Sequence, residues 1–189
     1  ALDYEAQVLV LNEGGTLDAR EGQIVFKGCD AVTLLLAAGT DYVKRRDQGW
    51  KGEHPHERIS SQLTGASKKS FDALLEEHVR DCQGLFDRFQ LDVGATPEAT
   101  AGLSTNERLA AYRQGGADPD LEELLFQYAR YMMIGSSRPG SLPANLQGLW
   151  NMSNSPPWRS DYHTDVNVEM NYWFVDPANL SECFQPLAE

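Results

Sequence analysis

The amino-acid sequence predicts an α+β chain in which short strands come first and helices follow after a polar linker. Two observations support this order. The first part of the chain contains aliphatic runs separated by glycine turns, a pattern typical of strands. After residue 69, apolar residues recur with a helical period. Because strands and helices are segregated along the chain, the pattern indicates two domains rather than one α/β layer structure.

Three short apolar runs, at residues 6–11, 23–27 and 31–38, are predicted to be β-strands. The glycine turns between them are so short that they fit antiparallel hairpins and leave no room for crossover helices. Three strands with open edges do not make a stable sheet by themselves. We therefore expect them to be the end of a larger sheet.

Residues 44–69 are polar, carry no sustained hydrophobic period and are predicted to be a linker. The run His54-Pro55-His56-Glu57, with Glu53 before it, places two imidazoles and two carboxylates within five positions of this segment. A zinc site needs three or four ligands, usually with a pair spaced on one helix face or strand, and the proline prevents that spacing on a helix. We interpret the run as solvated linker, and no metal site is predicted.

Five helical segments are predicted after the linker. An apolar stripe predicts a helix over residues 71–89. A Ser-Thr-Asn-Glu capping box opens a helix over residues 105–113, and an Asp-Pro pair opens another over residues 119–135. Shorter helices are predicted at residues 169–174 and after the Asn-Leu-Ser-Glu run that begins at residue 179.

Composition excludes several classes of function. Lys and Arg number 16 against 28 Asp and Glu, which gives a net charge of −12. A chain this acidic offers no basic stripe for a phosphate backbone, so nucleic acid is not an expected partner. The longest apolar run, at residues 32–38, is too short to cross a bilayer, and no membrane partner is expected. Three widely spaced cysteines imply no disulfide framework.

Residues 145–173 combine aromatic and amide side chains at high density. Flat aromatic faces stack on the C–H surfaces of sugars, and amides donate and accept hydrogen bonds as hydroxyl-rich ligands require. On this basis Asn145, Trp150 and Trp158 are candidate substrate-binding residues. The alternative is a loop whose amides satisfy its own backbone and whose aromatic side chains belong to the core.

His163, Asp165 and Asn167 alternate along the chain. If the segment is extended, all three side chains point to the same side and form a polar wall. Such a wall could hold a sugar hydroxyl and an attacking water. The alternative is a hydrogen-bonded network that supports the following helix.

Four blocks of this region resemble glycoside hydrolase family 95, the α-L-fucosidases. The blocks are LPANLQGLW at residues 142–150, PPW at 156–158, DVNVEMNYW at 165–173 and NLSE at 179–182. The resemblance extends more weakly over the whole chain. It implies the end of a β-sandwich domain over residues 1–43, a helical linker over 44–115 and the first helices of an (α/α)6 barrel over 116–189.

The resemblance implies exo-hydrolysis of terminal α-L-fucose, or a related L-sugar, by inversion. In that mechanism an acid protonates the leaving oxygen while a base activates water, the two carboxyl groups being about 6.5–9.5 Å apart. The family's general acid lies outside this chain. His163 matches a sugar-contacting position and Asn167 matches the asparagine that orients the water. Asp165 stands where the family has another asparagine, and a carboxylate there is itself a base. We therefore take Asp165 and Asn167 as the catalytic candidates.

The same resemblance sets the expected partners. These are a glycan substrate and the rest of a parent polypeptide. No metal or organic cofactor is expected. The expected location of the protein is the periplasm or outside the cell. The 189-residue chain alone is expected to be inactive. The alternative is a non-catalytic carbohydrate-binding or remnant fragment that keeps the aromatic wall but lacks the acid. A reading frame that continues for some 300 further residues (roughly, from the size of such a barrel) favours the enzyme.

Overall fold

A computed structural model describes all residues from 1 to 189. The chain forms two compact units, Ala1–His78 and Val79–Glu189. The α+β order predicted from the sequence is confirmed, with strands in the first unit and helices from residue 56 onward.

The first unit contains two antiparallel strand pairs. The outer strands pair along their whole length, from Tyr4 opposite Thr40 to Glu13 opposite Ala31, and a hairpin is nested between them. The antiparallel pairing agrees with the prediction, but the count of three strands was wrong. The missed strand has the sequence TLDAR, which lacks an aliphatic run. The strands are β1 (Tyr4–Glu13), β2 (Thr16–Arg20), β3 (Gln23–Lys27) and β4 (Ala31–Thr40).

Helix α1 (His56–Ala66) lies inside the predicted linker, so that prediction was wrong for these residues. Ile59 and Leu63 are buried one turn apart on the side of α1 that packs against β4 and β1. A stripe of two residues gives too little periodic signal to be recognised in a polar sequence. His54 and His56 lie half-exposed at the start of the helix, and the Nδ1 atom of His56 is 2.9 Å from Glu5 Oε1. No group of three or more His, Cys, Asp or Glu side chains is placed to hold a metal ion.

The second unit is helical. The helix predicted over residues 71–89 ends three residues early, and the helix over 105–113 is confirmed. At its start, the Ser104 backbone N–H and hydroxyl both donate to Glu107 Oε2, at 2.9 and 2.7 Å. The helical segment predicted after residue 179 begins at Ser181, but Asn179 does not cap it, because Leu180 occupies the cap position and no side chain supplies a cap. The helices are α2 (Phe71–Phe86, shared with the first unit), α3 (Glu98–Ala101), α4 (Thr105–Arg113), α5 (Pro119–Ser136), α6 (Asn167–Tyr172) and α7 (Gln185–Ala188).

Helix α5 begins at Pro119 and is capped by Asp118, as the Asp-Pro pair predicted. The Asp118 carboxylate accepts a hydrogen bond from the Leu121 backbone N–H at 3.2 Å and from the Thr96 hydroxyl at 2.7 Å. The Arg108 guanidinium of α4 binds the same carboxylate through two nitrogens, at 2.8 and 2.6 Å. This pairing lowers the pKa of Asp118 far below its usual range. The cap therefore joins α4 to the first turn of α5.

A buried arginine joins α5 to α2 and to the end of the chain. Arg130 is fully buried, and its guanidinium donates to the backbone oxygens of Phe86 at 2.7 Å and Leu85 at 3.0 Å. It also reaches the oxygens of Phe89 and Ala178, each at 3.2 Å. The last carbonyls of a helix have no partners within the helix, so Arg130 supplies donors that α2 lacks.

The apolar core of the second unit is built from α2, α5, α6 and the C-terminal segment. All of its residues lie within the second unit. Its buried members are Leu85, Met133, Ile134, Ala144, Val168, Tyr172, Val175, Leu180 and Cys183.

We predict that Arg130→Met lowers the free energy of unfolding by at least about 3 kcal/mol, since each buried carbonyl left without a donor costs about 1–3 kcal/mol. Urea unfolding followed by far-ultraviolet circular dichroism measures this. The matched control is Arg138→Met, because Arg138 pairs with the exposed carboxylate of Asp81 at 2.8 Å. An exposed pair contributes about 1 kcal/mol or less. Equal losses in the two variants would contradict the role given to Arg130.

Candidate functional site

The segment between α5 and α6 is irregular, as the sequence predicted, and it is fixed to the core at its start. The buried Tyr172 hydroxyl lies 2.8 Å from Ser137 Oγ and accepts a hydrogen bond from the Ala144 backbone N–H at 2.7 Å. Ser137 Oγ in turn donates to the Cys183 backbone oxygen at 2.8 Å. These bonds hold residue 144 at a defined place, directly before the first candidate residue, Asn145.

Asn145 opens a tight turn that ends at Gly148. The Gly148 backbone N–H donates to the Asn145 backbone oxygen at 2.9 Å. The Gln147 backbone N–H donates to Asn145 Oδ1 at 2.8 Å, which fixes the side-chain amide as in an Asx turn. Gly148 has φ +65°, a left-handed conformation that favours glycine.

The indole of Trp150 packs on two glycines. A Cβ atom added to Gly148 would lie 2.9 Å from Trp150 Cε3, and one added to Gly135 would lie 3.5 Å from its Cη2. The ring therefore rests against backbone that has no side chain of its own, while the residue stays 51% exposed. The alternative in which the aromatic residues are all core applies to Tyr172, which is 4% exposed, but not to Trp150.

Trp158 is still more exposed, at 72%, and lies in a left-handed turn. The φ angles of Trp158, Arg159 and Ser160 are +47°, +58° and +52°. Each is an uncommon conformation for a residue with a side chain. Trp158 is therefore presented outward by a turn and does not share a wall with Trp150.

A cavity of about 470 Å³ lies between α5, the turn and α6. Asn145 and Trp150 both line this cavity, and their role in substrate binding stays a prediction. The cavity also contains Gln147 and Asn171, which the sequence analysis did not single out. Asn171 could have been identified from the sequence, because it lies four residues after Asn167 and therefore on the same face of a helix. The lining residues are Ala129, Met132, Met133, Ser136, Ala144, Asn145, Leu146, Gln147, Gly148, Trp150, Met170, Asn171 and Phe174.

The alternating wall of His163, Asp165 and Asn167 does not form. Residues 164–166 make a turn, Val166 has φ +90°, and Asn167 is the first residue of α6. The Val168 backbone N–H donates to the His163 backbone oxygen at 2.9 Å, which closes the turn. The expectation of an extended segment was wrong because α6 begins two residues earlier than predicted.

The side chains of this turn are accessible to a ligand. Asp165 and Asn167 are exposed, and His163 is half-exposed with its Nε2 atom 3.0 Å from Asp161 Oδ1. Asp161 is thus a partner that the sequence analysis missed. None of the three predicted residues lines the cavity, which begins one helical turn further along α6.

Residues 70–189 match the family model of the glycosyl hydrolase family 95 catalytic domain. The chain belongs to this family. The family 95 chain is 43% identical over 193 aligned residues to Probable alpha-fucosidase A of Aspergillus niger. The alignment covers 97% of this chain and 24% of that relative. It is 36% identical over 182 residues to Alpha-L-fucosidase 2 of Arabidopsis thaliana, covering 94% of its own length and 22% of the relative.

The resemblance found in the sequence is thus confirmed at the level of the family. A third relative, Probable alpha-fucosidase A of Aspergillus oryzae, is 34% identical over 177 residues, with 89% of this chain and 24% of the relative aligned. The family 95 chain therefore spans about a quarter of the length of these relatives. None of its helices has the length and apolar character needed to span a membrane.

Proposed function

We propose that the chain is part of a longer exo-acting glycoside hydrolase that removes terminal α-L-fucose, or a related L-sugar, from oligosaccharides with inversion. The proposal rests on the match of residues 70–189 to the family 95 catalytic domain. The relatives named as fucosidases align with 89–97% of the chain. A location in the periplasm or outside the cell follows from the family resemblance and stays a prediction.

The apolar surface of the chain supports a place in a longer polypeptide. On β4, Leu34 and Leu36 are more than half exposed on the side that α1 leaves bare. On α5, Leu125 and Tyr128 are also more than half exposed and line a second, apolar cavity with α4. A sheet with one bare apolar face fits the end of a β-sandwich over residues 1–43, and a helix of this kind fits the start of an (α/α)6 barrel over 116–189.

The chemistry assigned to the turn is activation of water. Inversion requires a base that takes a proton from water and an acid that protonates the leaving oxygen from the opposite face. Asp165 supplies an exposed carboxylate and Asn167 an exposed amide, two residues apart at the start of α6. We assign proton abstraction to Asp165, orientation of the water to Asn167 and a sugar hydroxyl contact to His163. The acid comes from a part of the polypeptide outside residues 1–189.

The test of the function is hydrolysis of an aryl α-L-fucoside by the complete polypeptide, followed by proton NMR. Inversion at the α-linked anomeric carbon releases β-L-fucose first, and the α-anomer appears only afterwards by mutarotation. The 189-residue chain serves as the negative control, because the proposal places the acid outside these residues. Initial release of the α-anomer would refute inversion, and absence of turnover by the complete polypeptide would refute the function.

We predict that Trp150→Ala and Trp158→Ala raise KM in the complete polypeptide and leave the melting temperature nearly unchanged. Truncation of a fully buried tryptophan costs about 3–5 kcal/mol, whereas these two side chains are half-exposed or more. The matched control is Trp50→Ala, since Trp50 is 43% exposed and stacks on Tyr42 in the first unit. Normal kinetics together with a fall of many degrees in melting temperature would assign both residues to structure.

We predict that Asp165→Ala lowers kcat by roughly 10²–10⁴ with little change in substrate binding, the usual range for a positioned general base. Asp165→Asn restores the family residue and separates two arrangements. If Asp165 is the base, this variant loses nearly as much activity as the alanine variant. If a carboxylate outside this chain drives the water, the asparagine variant keeps substantial activity. Weaker binding at an unchanged kcat in both variants would reassign Asp165 to a sugar hydroxyl.

A further inference from the structure

Residues 44–50 form the exposed tip of the loop between β4 and α1. Three consecutive cations, Lys44, Arg45 and Arg46, lie on this tip. The Arg45 guanidinium donates to the Asp47 carboxylate at 2.6 and 2.9 Å, but both side chains are more than half exposed. Because an exposed pair of this kind is weak, it leaves Arg45 available to a partner in solution.

The backbone at Arg45 is extended, with φ −132° and ψ 99°, whereas Arg46 is the first residue of a single 3₁₀ turn. An extended segment can pair with another chain through main-chain hydrogen bonds. Endoproteases of the trypsin type select a cation before the cut, because a carboxylate lies in their specificity pocket. Exposed loop tips are the preferred places for such cuts. Arg45 therefore combines the charge, the backbone conformation and the exposure that these proteases require.

Below the tip, hydrogen bonds hold the two sides of the loop together. The Val43 backbone N–H donates to the Trp50 backbone oxygen at 3.2 Å, and the Gly52 N–H donates to the Asp41 backbone oxygen at 2.7 Å. The Lys51 ammonium lies 3.2 Å from the carboxylate of Asp41, which is buried. These contacts join the residues before the tip to the residues after it.

Helix α1 adds contacts between the same two parts of the chain. Gln7 Nε2 on β1 donates to Ser60 Oγ at 2.9 Å, and Arg58 Nη2 donates to the Thr40 backbone oxygen at 3.2 Å. The fully buried Ile59 lies on the side of α1 that packs against the strands. A chain cut at the tip thus keeps polar and apolar contacts between its two parts.

The first unit contains a second dibasic pair, Lys68-Lys69, in a different setting. Both residues are exposed, but they lie in the turn that follows α1. The Lys68 backbone N–H donates to the Gly65 oxygen at 3.4 Å, and the Lys69 N–H donates to the Ala66 oxygen at 3.0 Å. Such a turn must open before it can pair with a protease as a strand. The pair therefore serves as an internal control for charge and exposure alone.

We propose that the peptide bond between Arg45 and Arg46 is a site of limited cleavage by an endoprotease of basic specificity, and that the cut chain stays assembled. Water is the second reactant. The C–N bond breaks, the Arg45 carbonyl carbon gains a hydroxyl group, and the Arg46 nitrogen gains a hydrogen. A proton then passes from the new carboxyl group to the new amine. The proposal is independent of the proposed function, because it uses only contacts within the first unit.

The test is digestion of the 189-residue chain with a small amount of trypsin, followed by mass spectrometry of the intact fragments. We expect residues 1–45 and 46–189 as the first products. Replacing all three cations of the tip with glutamine (Lys44→Gln, Arg45→Gln and Arg46→Gln together) should slow the loss of intact chain at least about tenfold. The matched control, Lys68→Gln with Lys69→Gln, should change this rate less than about twofold.

Size-exclusion chromatography of the cut chain tests whether it stays assembled. Elution of both fragments in one peak without denaturant, and in two peaks in urea, supports the proposal. Separate elution without denaturant overturns the assembly. A first cut elsewhere, resistance of the chain to trypsin, or equal slowing in the control variant overturns the site. The aryl α-L-fucoside assay on the complete polypeptide decides the proposed function separately.

Discussion

The second unit depends on the hydrogen bonds of one buried cation, Arg130. Its side chain is fully buried, and burial lowers the pKa of the guanidinium. The guanidinium donates hydrogen bonds to four backbone carbonyl oxygens and to the side chain of Gln127. These acceptors replace the water that the buried group has lost. Two aromatic rings, of Phe86 and Phe89, lie 5.3 and 5.6 Å from the guanidinium carbon and cover it further. A charge can be buried at this position because each of the three guanidinium nitrogens finds an acceptor.

This constraint extends to the candidate site through α5. Arg130 fixes the rotation of the helix about its own axis, because its side chain must reach the end of α2. With that rotation set, the neighbouring positions Ala129, Met132 and Met133 face the cavity beside Trp150. The helix then ends at Ser136, and Ser137 is already bonded to Tyr172. One buried arginine and one buried tyrosine thus determine where the loop that carries Asn145 begins.

The sequence predicted those parts of the fold that depend on local signals. The capping box at Ser104 and the Asp-Pro start of α5 are local, and both are confirmed. Strand β2 has no aliphatic run of its own and is held by its pairing with β3 in a hairpin. Helix α1 depends on partners farther away in the chain, because it packs against β4 and β1 and buries only two residues. Propensity is a weak guide where tertiary contacts decide the structure.

The candidate site shows the same limit more strongly, because its backbone departs from what local preference allows. Four residues between 158 and 166 have positive φ although none is glycine, and Val166 among them is β-branched. Such conformations cost about 1–3 kcal/mol each, so they persist only where other contacts impose them. Here the Leu146 N–H donates to the Asp161 backbone oxygen at 3.3 Å, and the Tyr162 hydroxyl donates to the Pro143 backbone oxygen at 2.9 Å. These bonds tie the strained segment to the turn of Asn145. The aromatic and amide residues of this region can be identified from the sequence. The orientation of their side chains depends on the strained backbone, whose conformation is maintained by contacts with the rest of the unit.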